Sequence, residues 1–154
     1  MDAPVKVFDI DPMGAVRMTQ RDHWRPAAQR YFDSRTLLQQ LAMINRYSVG
    51  NELFATFCIP MPGSWTNKKK ALMNETYCQS KPDIDNITKW WLDCLCEEDK
   101  HVCRICCNKI WSEKGSVIIY ASMDSWRKAD LTRTIPDTGS QVPVRDTFSI
   151  PTKH

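Results

Sequence analysis

No apolar run in this sequence is long enough to cross a bilayer. The longest, around Val117–Ala121, falls far short of the roughly 20 residues that a spanning helix needs. The first dozen residues hold Asp2, Asp9 and Asp11 and no apolar segment of the kind a secretory signal requires. No internal repeat or low-complexity block interrupts the chain, and a net charge of +3 is too small to name a partner by itself. These absences argue against a membrane-spanning, secreted or repeat-built protein and predict one that stays in a reducing cytoplasm. The seven cysteines, an odd number, are then expected as thiols or metal ligands and not as a disulfide framework.

What is present suits one ordinary domain. A chain of 154 residues with 42% hydrophobic and 25% charged residues can bury a core without staples. Val5–Ile10 alternates apolar and polar residues and reads as a first strand, followed by a turn at Pro12-Met13-Gly14. Met18–Arg30 is polar and Arg-rich and expected to be irregular or only partly helical. Asp33 or Ser34 is then expected to cap a helix to about Tyr47, with Leu37, Leu38, Leu41 and Ile44 as its buried stripe. Leu53–Ile59 reads as a strand closed by Pro60 and Pro62, and Ser64 as the cap of a short basic helix, Trp65–Met73. Ile84, Ile87, Trp91 and Leu95 predict a helix over about 84–95. Val102–Trp111 and Val117–Ala121 read as a hairpin turning at Glu113–Gly115. The expected organisation is a single domain over residues 1–124 and a polar C-terminal extension over 125–154.

Charge is distributed unevenly. Residues 17–46 carry six arginines against Asp22 and Asp33, and Lys68, Lys69 and Lys70 form a second basic cluster. Such patches can meet phosphate, although a charge run is more often a solvated face.

The most informative segment is Lys81-Pro82-Asp83-Ile84-Asp85-Asn86-Ile87-Thr88-Lys89, with Asp93 and then Glu97-Glu98-Asp99 beyond it. Pro82 suits a helix start, so Asp83 falls at the entrance and Asp85 in the first turn. Lys89 lies one turn after Asp85 on the same face. Carboxylates that converge repel one another unless a cation joins them, and hard oxygen donors suit Mg²⁺ or Mn²⁺. A lysine beside them can stabilise charge on a phosphodiester. The bland account of the same residues is a capped helix with a surface Asp85–Lys89 pair and a polar loop at Glu97–Asp99.

KPDIDNITKWWLDCL over Lys81–Leu95, followed by Glu98-Asp99-Lys100-His101-Val102, resembles the RusA family of Holliday-junction resolvases. The shared features are an Asp-x-Asp-Asn block, a lysine four residues after its second Asp, an Asp-Ala-Leu-like helix end and an Asp-Asp-x-x-Val strand start. The similarity reaches upstream to Pro60-Met61-Pro62-Gly63-Ser64-Trp65 and to Arg17-Met18-Thr19. Downstream it takes in Lys109 and Trp111 before a glycine turn, so that it spans roughly residues 5–122. Glu98 departs from the family's first aspartate, and the link from the helix to Asp99 is short.

The resemblance implies a single-domain α+β fold with a mixed sheet flanked by helices, a homodimer, and branched DNA as partner. It implies Asp83, Asp85 and Asp99 as metal-binding catalytic acids and Lys89 as catalytic lysine. The implied cofactor is Mg²⁺, with Mn²⁺ as a substitute, and the implied origin is a phage or prophage acting in a bacterial cytoplasm. Arg17, Lys68, Lys69, Lys70, Lys81 and Lys109 are the expected DNA contacts.

Two other readings compete. One is a DNA-binding module of the same fold that does not cut. The other is a zinc-stabilised interaction protein built on Cys94, Cys96, His101, Cys103, Cys106 and Cys107, whose spacing matches no standard finger. Small thiols buried in a core are the simpler account of those cysteines.

Overall fold

The computed structural model describes residues 5–16 and 24–136. The element order is β1 (Val5–Phe8), α1 (Pro26–Ile44), β2 (Glu52–Pro60), α2 (Asn67–Met73), α3 (Ile84–Leu95), β3 (Arg104–Ser112), β4 (Ser116–Tyr120) and α4 (Met123–Asp130). The four strands form one mixed sheet in the order β1-β4-β2-β3, with β2 and β3 parallel and the other pairs antiparallel. The expected α+β class with a mixed sheet flanked by helices is therefore the observed one.

β2 explains the sheet. Every residue from Leu53 to Ile59 is buried, because both faces of this inner strand are covered. On one face Leu53, Ala55, Phe57 and Ile59 join Phe8, Trp111, Val117 and Ile119 in a core closed by Tyr31 and Leu38 of α1 and by Ile87, Trp90 and Trp91 of α3. Phe8 meets Trp91 edge to face at 5.1 Å, a favourable geometry for aromatic pairs. On the other face lies α4, whose Trp126 donates Nε1–H to the Ala55 carbonyl at 3.0 Å. Its Asp130 accepts hydrogen bonds from Tyr77 at 2.5 Å and Asn108 at 2.7 Å.

The chain thus stays on the sheet through the start of the expected C-terminal extension. Ser122 caps α4 by accepting from the Ser125 amide, and the Thr134 carbonyl receives the Tyr77 amide. Residues 137–154 of that extension, and most of the Arg-rich stretch before α1, lie outside the described residues.

Three expectations change. The first helix begins at Pro26, eight residues before Ser34, because proline at its first turn presets the helical dihedral and loses no needed donor. Its buried positions are Ala28, Tyr31, Leu38 and Ala42, and it ends at Ile44; Leu37 and Ile44 of the expected stripe face solvent. The cap of α2 is Thr66, which accepts from the Lys69 amide, and not Ser64. Trp65 instead packs on Trp111 at 4.8 Å.

Third, β3 and β4 do not form a hairpin. β2 lies between them, and residues 113–115 cross over its end, where Pro60 faces Ser112 and Cys58 faces Ser116. Gly115 makes that crossing possible: a Cβ there would lie 2.9 Å from the Asp11 Cα, closer than packed atoms approach.

Candidate active site

α3 begins where Pro82 and Asp83 place it. Asp83 is the N-cap residue in extended conformation, and its carbonyl accepts from the Ile87 amide at 3.0 Å. Its carboxylate makes no capping hydrogen bond. The side chain is therefore left available. Ile87, Trp90, Trp91, Leu92 and Cys94 are buried, which turns the opposite side of α3 outward and leaves Asp83, Asp85, Lys89 and Asp93 exposed.

Two neighbours hold this helix entrance. From β3, the Lys109 ammonium donates to the carbonyls of Ser80 and, at 2.9 Å, Pro82, which ties down the loop that delivers Asp83. From the segment after β1, the Ala15 amide donates to the Asn86 carbonyl at 3.1 Å. A Cβ on Gly14 would meet the Asn86 side-chain amide at 2.5 Å, so glycine permits that close approach. Neither support was legible in advance. Pro12-Met13-Gly14 read only as a turn, and Lys109 only as a charge for DNA. The reason is that contacts between residues this far apart in sequence leave no local pattern.

Asp85 and Lys89 are one turn apart, yet no ion pair joins them, and among the described residues Asp83, Asp85, Lys89 and Asp99 make no salt bridge. Among the described residues, the site thus carries carboxylates and an ammonium that no salt bridge engages, exposed on one surface.

Asp99 is elsewhere. α3 has 12 residues, and at 1.5 Å per residue such a helix is about 18 Å long. Asp83 stands at its start, whereas Asp99 lies four residues past its end. There it and Asp93 sit near Cys96, whose thiol is pushed up first by burial and then by those two negative charges. Glu98 pairs with Lys100 at 2.8 Å in open solvent. Among the described residues no three His, Cys, Asp or Glu side chains gather closely enough to hold a metal ion. One chain therefore brings two of the three expected acids together and leaves the third at the opposite end of the helix. Asp83 and Asp85 suit a hard divalent cation in donor chemistry, but they do not complete its shell alone.

The same finding bears on the cysteines. Burial pushes the thiols of Cys94 and Cys107 up to about 11, and those of Cys58, Cys78 and Cys96 upward as well. Thiolate, the metal-binding form, is disfavoured at each. Of the candidate cysteines Cys94 is buried, Cys96, Cys106 and Cys107 are half-buried and Cys103 is exposed, and they give the zinc reading no ligand set among the described residues.

Lys68 and Lys69 are exposed on α2, with Lys70 half-buried beside them. α2 buries none of its own residues, and Lys69 lies 4.3 Å over the Trp65 ring. Lys81 is exposed just before the helix entrance, and Arg17 lies outside the described residues. Comparison with known proteins adds the family: the model described as Endodeoxyribonuclease RusA matches residues 10–121. No curated protein and no solved structure matches the chain.

Proposed function

Since the chain belongs to the RusA family of endodeoxyribonucleases, which act on Holliday junctions, we propose that it resolves four-way DNA junctions by paired, Mg²⁺-dependent nicks, with Mn²⁺ able to substitute. The observation that carries this reading is the exposed pair of carboxylates, Asp83 and Asp85, beside Lys89 at a braced helix entrance, none of them in a salt bridge among the described residues. A divalent cation bound there supplies a water acidified toward neutral pH and charge stabilisation at a phosphodiester.

The chain's own residues do the rest. Asp83 and Asp85 furnish the cation's first oxygens. Lys89, one turn on, faces a phosphate bound at that surface and offsets the charge that grows on its oxygens. Lys109 acts by positioning, since its ammonium is spent on the two carbonyls that hold the loop. Hydrolysis leaves 5′-phosphate and 3′-hydroxyl ends.

Asp99 acquires a role if the working unit is a homodimer. An α-helix length separates it from its own Asp83, so the third carboxylate at each site is that of the second copy. A twofold axis then relates two composite sites, as two symmetric nicks require. The setting proposed for this activity is the bacterial cytoplasm, in a phage or prophage context; no helix of the described residues is long and apolar enough to cross a membrane.

The deciding experiment incubates the protein with a synthetic four-way junction, with and without Mg²⁺. Paired nicks that require the metal are expected. Tight junction binding without cleavage at any divalent ion would replace the nuclease with a non-cutting DNA-binding module.

Lys89→Ala is expected to leave the melting temperature unchanged, because the side chain is exposed and makes no ion pair among the described residues. Its single-turnover cleavage rate should fall by on the order of a hundredfold, as when one transition-state donor is removed. A variant that cuts at parental speed would make Lys89 a bystander, and one that unfolds would make it structural.

Replacing Lys68, Lys69 and Lys70 together with glutamine should flatten the slope of log affinity against log salt by roughly one unit per lost phosphate contact. An unchanged slope across a salt titration would move the DNA footprint off α2.

A further inference from the structure

A cleft of about 440 Å³ opens between the segment after β1 and α1. Its size falls in the range of small-ligand sites, roughly 300–1,000 Å³. Pro12, Met13 and Leu37 give it apolar walls, and Arg30, Asp33 and Asp11 supply its charges. Arg30, Asp33 and Leu37 follow one another at spacings of three and four, so they share one face of α1. Arg30 and Asp33 are both exposed, and no salt bridge engages either among the described residues.

The position of the cleft is as informative as its lining. Met13 directly precedes Gly14, which lies against Asn86, the residue after Asp85. The cleft therefore adjoins the surface where the carboxylates await a phosphodiester.

Charge narrows the occupant. Two carboxylates and one guanidinium make a poor seat for a phosphate, which Asp11 and Asp33 would repel. A neutral, flat heterocycle suits it better. Its faces can lie against methionine and leucine, its amino or imino N–H groups can donate to Asp33, and its carbonyl or ring nitrogen can accept from Arg30.

We propose that this cleft receives a single unstacked nucleobase next to the cleaved phosphate, and that Arg30 and Asp33 read its identity. The inference rests on the nuclease reading above. A branch point suits such capture, because bases that lack continuous pairing and stacking are the cheapest to extrude. Cleavage then depends on which base can enter, so the cleft sets a preference among cut sites along a junction whose crossover migrates.

The test uses the full chain, its Arg30→Gln/Asp33→Asn double variant, and Leu37→Trp, which fills the cleft from an exposed position. Cut sites are mapped on a junction with a migrating crossover. Binding to a junction carrying the fluorescent base 2-aminopurine at the crossover is followed without divalent metal.

The parent is expected to favour one base beside the cut by roughly five- to a hundredfold, the discrimination of a good base contact. It is also expected to raise the 2-aminopurine signal on binding. Both variants should bind junctions with parental salt dependence while losing the preference and the fluorescence rise together. Unchanged preference and fluorescence in both variants would overturn the base site, as would a parent that cuts without regard to sequence. Each of those results leaves the nuclease standing, whereas a parent that neither binds nor cuts junctions overturns both readings.

Discussion

Asp83→Asn is expected to cut junctions at least about a hundredfold more slowly than the parent while folding normally and holding the junction as tightly or more so. The folding half of this expectation comes from the cap. The Asp83 side chain makes no capping hydrogen bond that the exchange could remove, and its carbonyl, which accepts from the Ile87 amide, is unaltered. Asparagine is as good a cap residue as aspartate, so the exchange asks nothing of α3. The helix is in any case fixed by Ile87, Trp90 and Trp91 in the core, and its entrance by Lys109 and Ala15.

The catalytic half comes from charge. The substitution removes one negative donor from a pair that no salt bridge balances among the described residues, so a bound divalent ion loses affinity. The same loss relieves repulsion toward DNA phosphate, and binding is spared or strengthened. Asp85→Asn, in the first turn of the same helix, should behave alike. The comparison is single-turnover cleavage beside a junction-binding titration and a melting curve for each variant. Parental rates in both single variants would remove the carboxylates from the chemistry.

The legible parts of this molecule were those with local causes. α3 is announced by Pro82 at its start and by the helical spacing of Ile87, Trp91 and Leu95, and the structure bounds it at Ile84–Leu95. β2 is announced by a largely apolar run, broken only by Thr56 and ended by prolines, and it lies buried on both faces. The errors have the opposite origin. Two β-rich runs joined by three residues look like a hairpin, because nothing in either run says that β2, which ends at Pro60 far upstream, will sit between them. The Arg-rich residues before Asp33 look irregular or only partly helical when charge is weighed, and the start at Pro26 is missed although proline is well placed to open a helix and Ala28 and Tyr31 carry its buried face.

The site followed the same division. Asp83, Asp85 and Lys89 share one short helical segment, so spacing sufficed to put them on one surface. Asp99 is only fourteen positions after Asp85, but a rigid helix fills most of that interval. Proximity in sequence becomes separation in space.

That separation yields the second large effect. Mixing two inactive chains is expected to restore cleavage. Asp83→Asn and Asp99→Asn should each be inactive alone, because every site of either homodimer lacks one carboxylate. Coexpressed with separable tags, half of the dimers that assort at random carry one chain of each kind. In such a dimer one site combines both substitutions. The other combines the intact Asp83 of one chain with the intact Asp99 of its partner, so one of its two sites is whole. About a quarter of the parental number of sites therefore returns.

The product distinguishes this from contamination by the parent. A dimer with one working site nicks one strand, so purified heterodimers should accumulate nicked junctions and few resolved duplexes. If each chain instead assembled its three acids within itself, both sites of the mixed dimer would stay defective and no cleavage would return. The α3 helix decides between these outcomes. Its twelve residues, five of them buried, lie between Asp83 and the loop that carries Asp99, and a carboxylate side chain cannot span on the order of 18 Å to reach a shared ion.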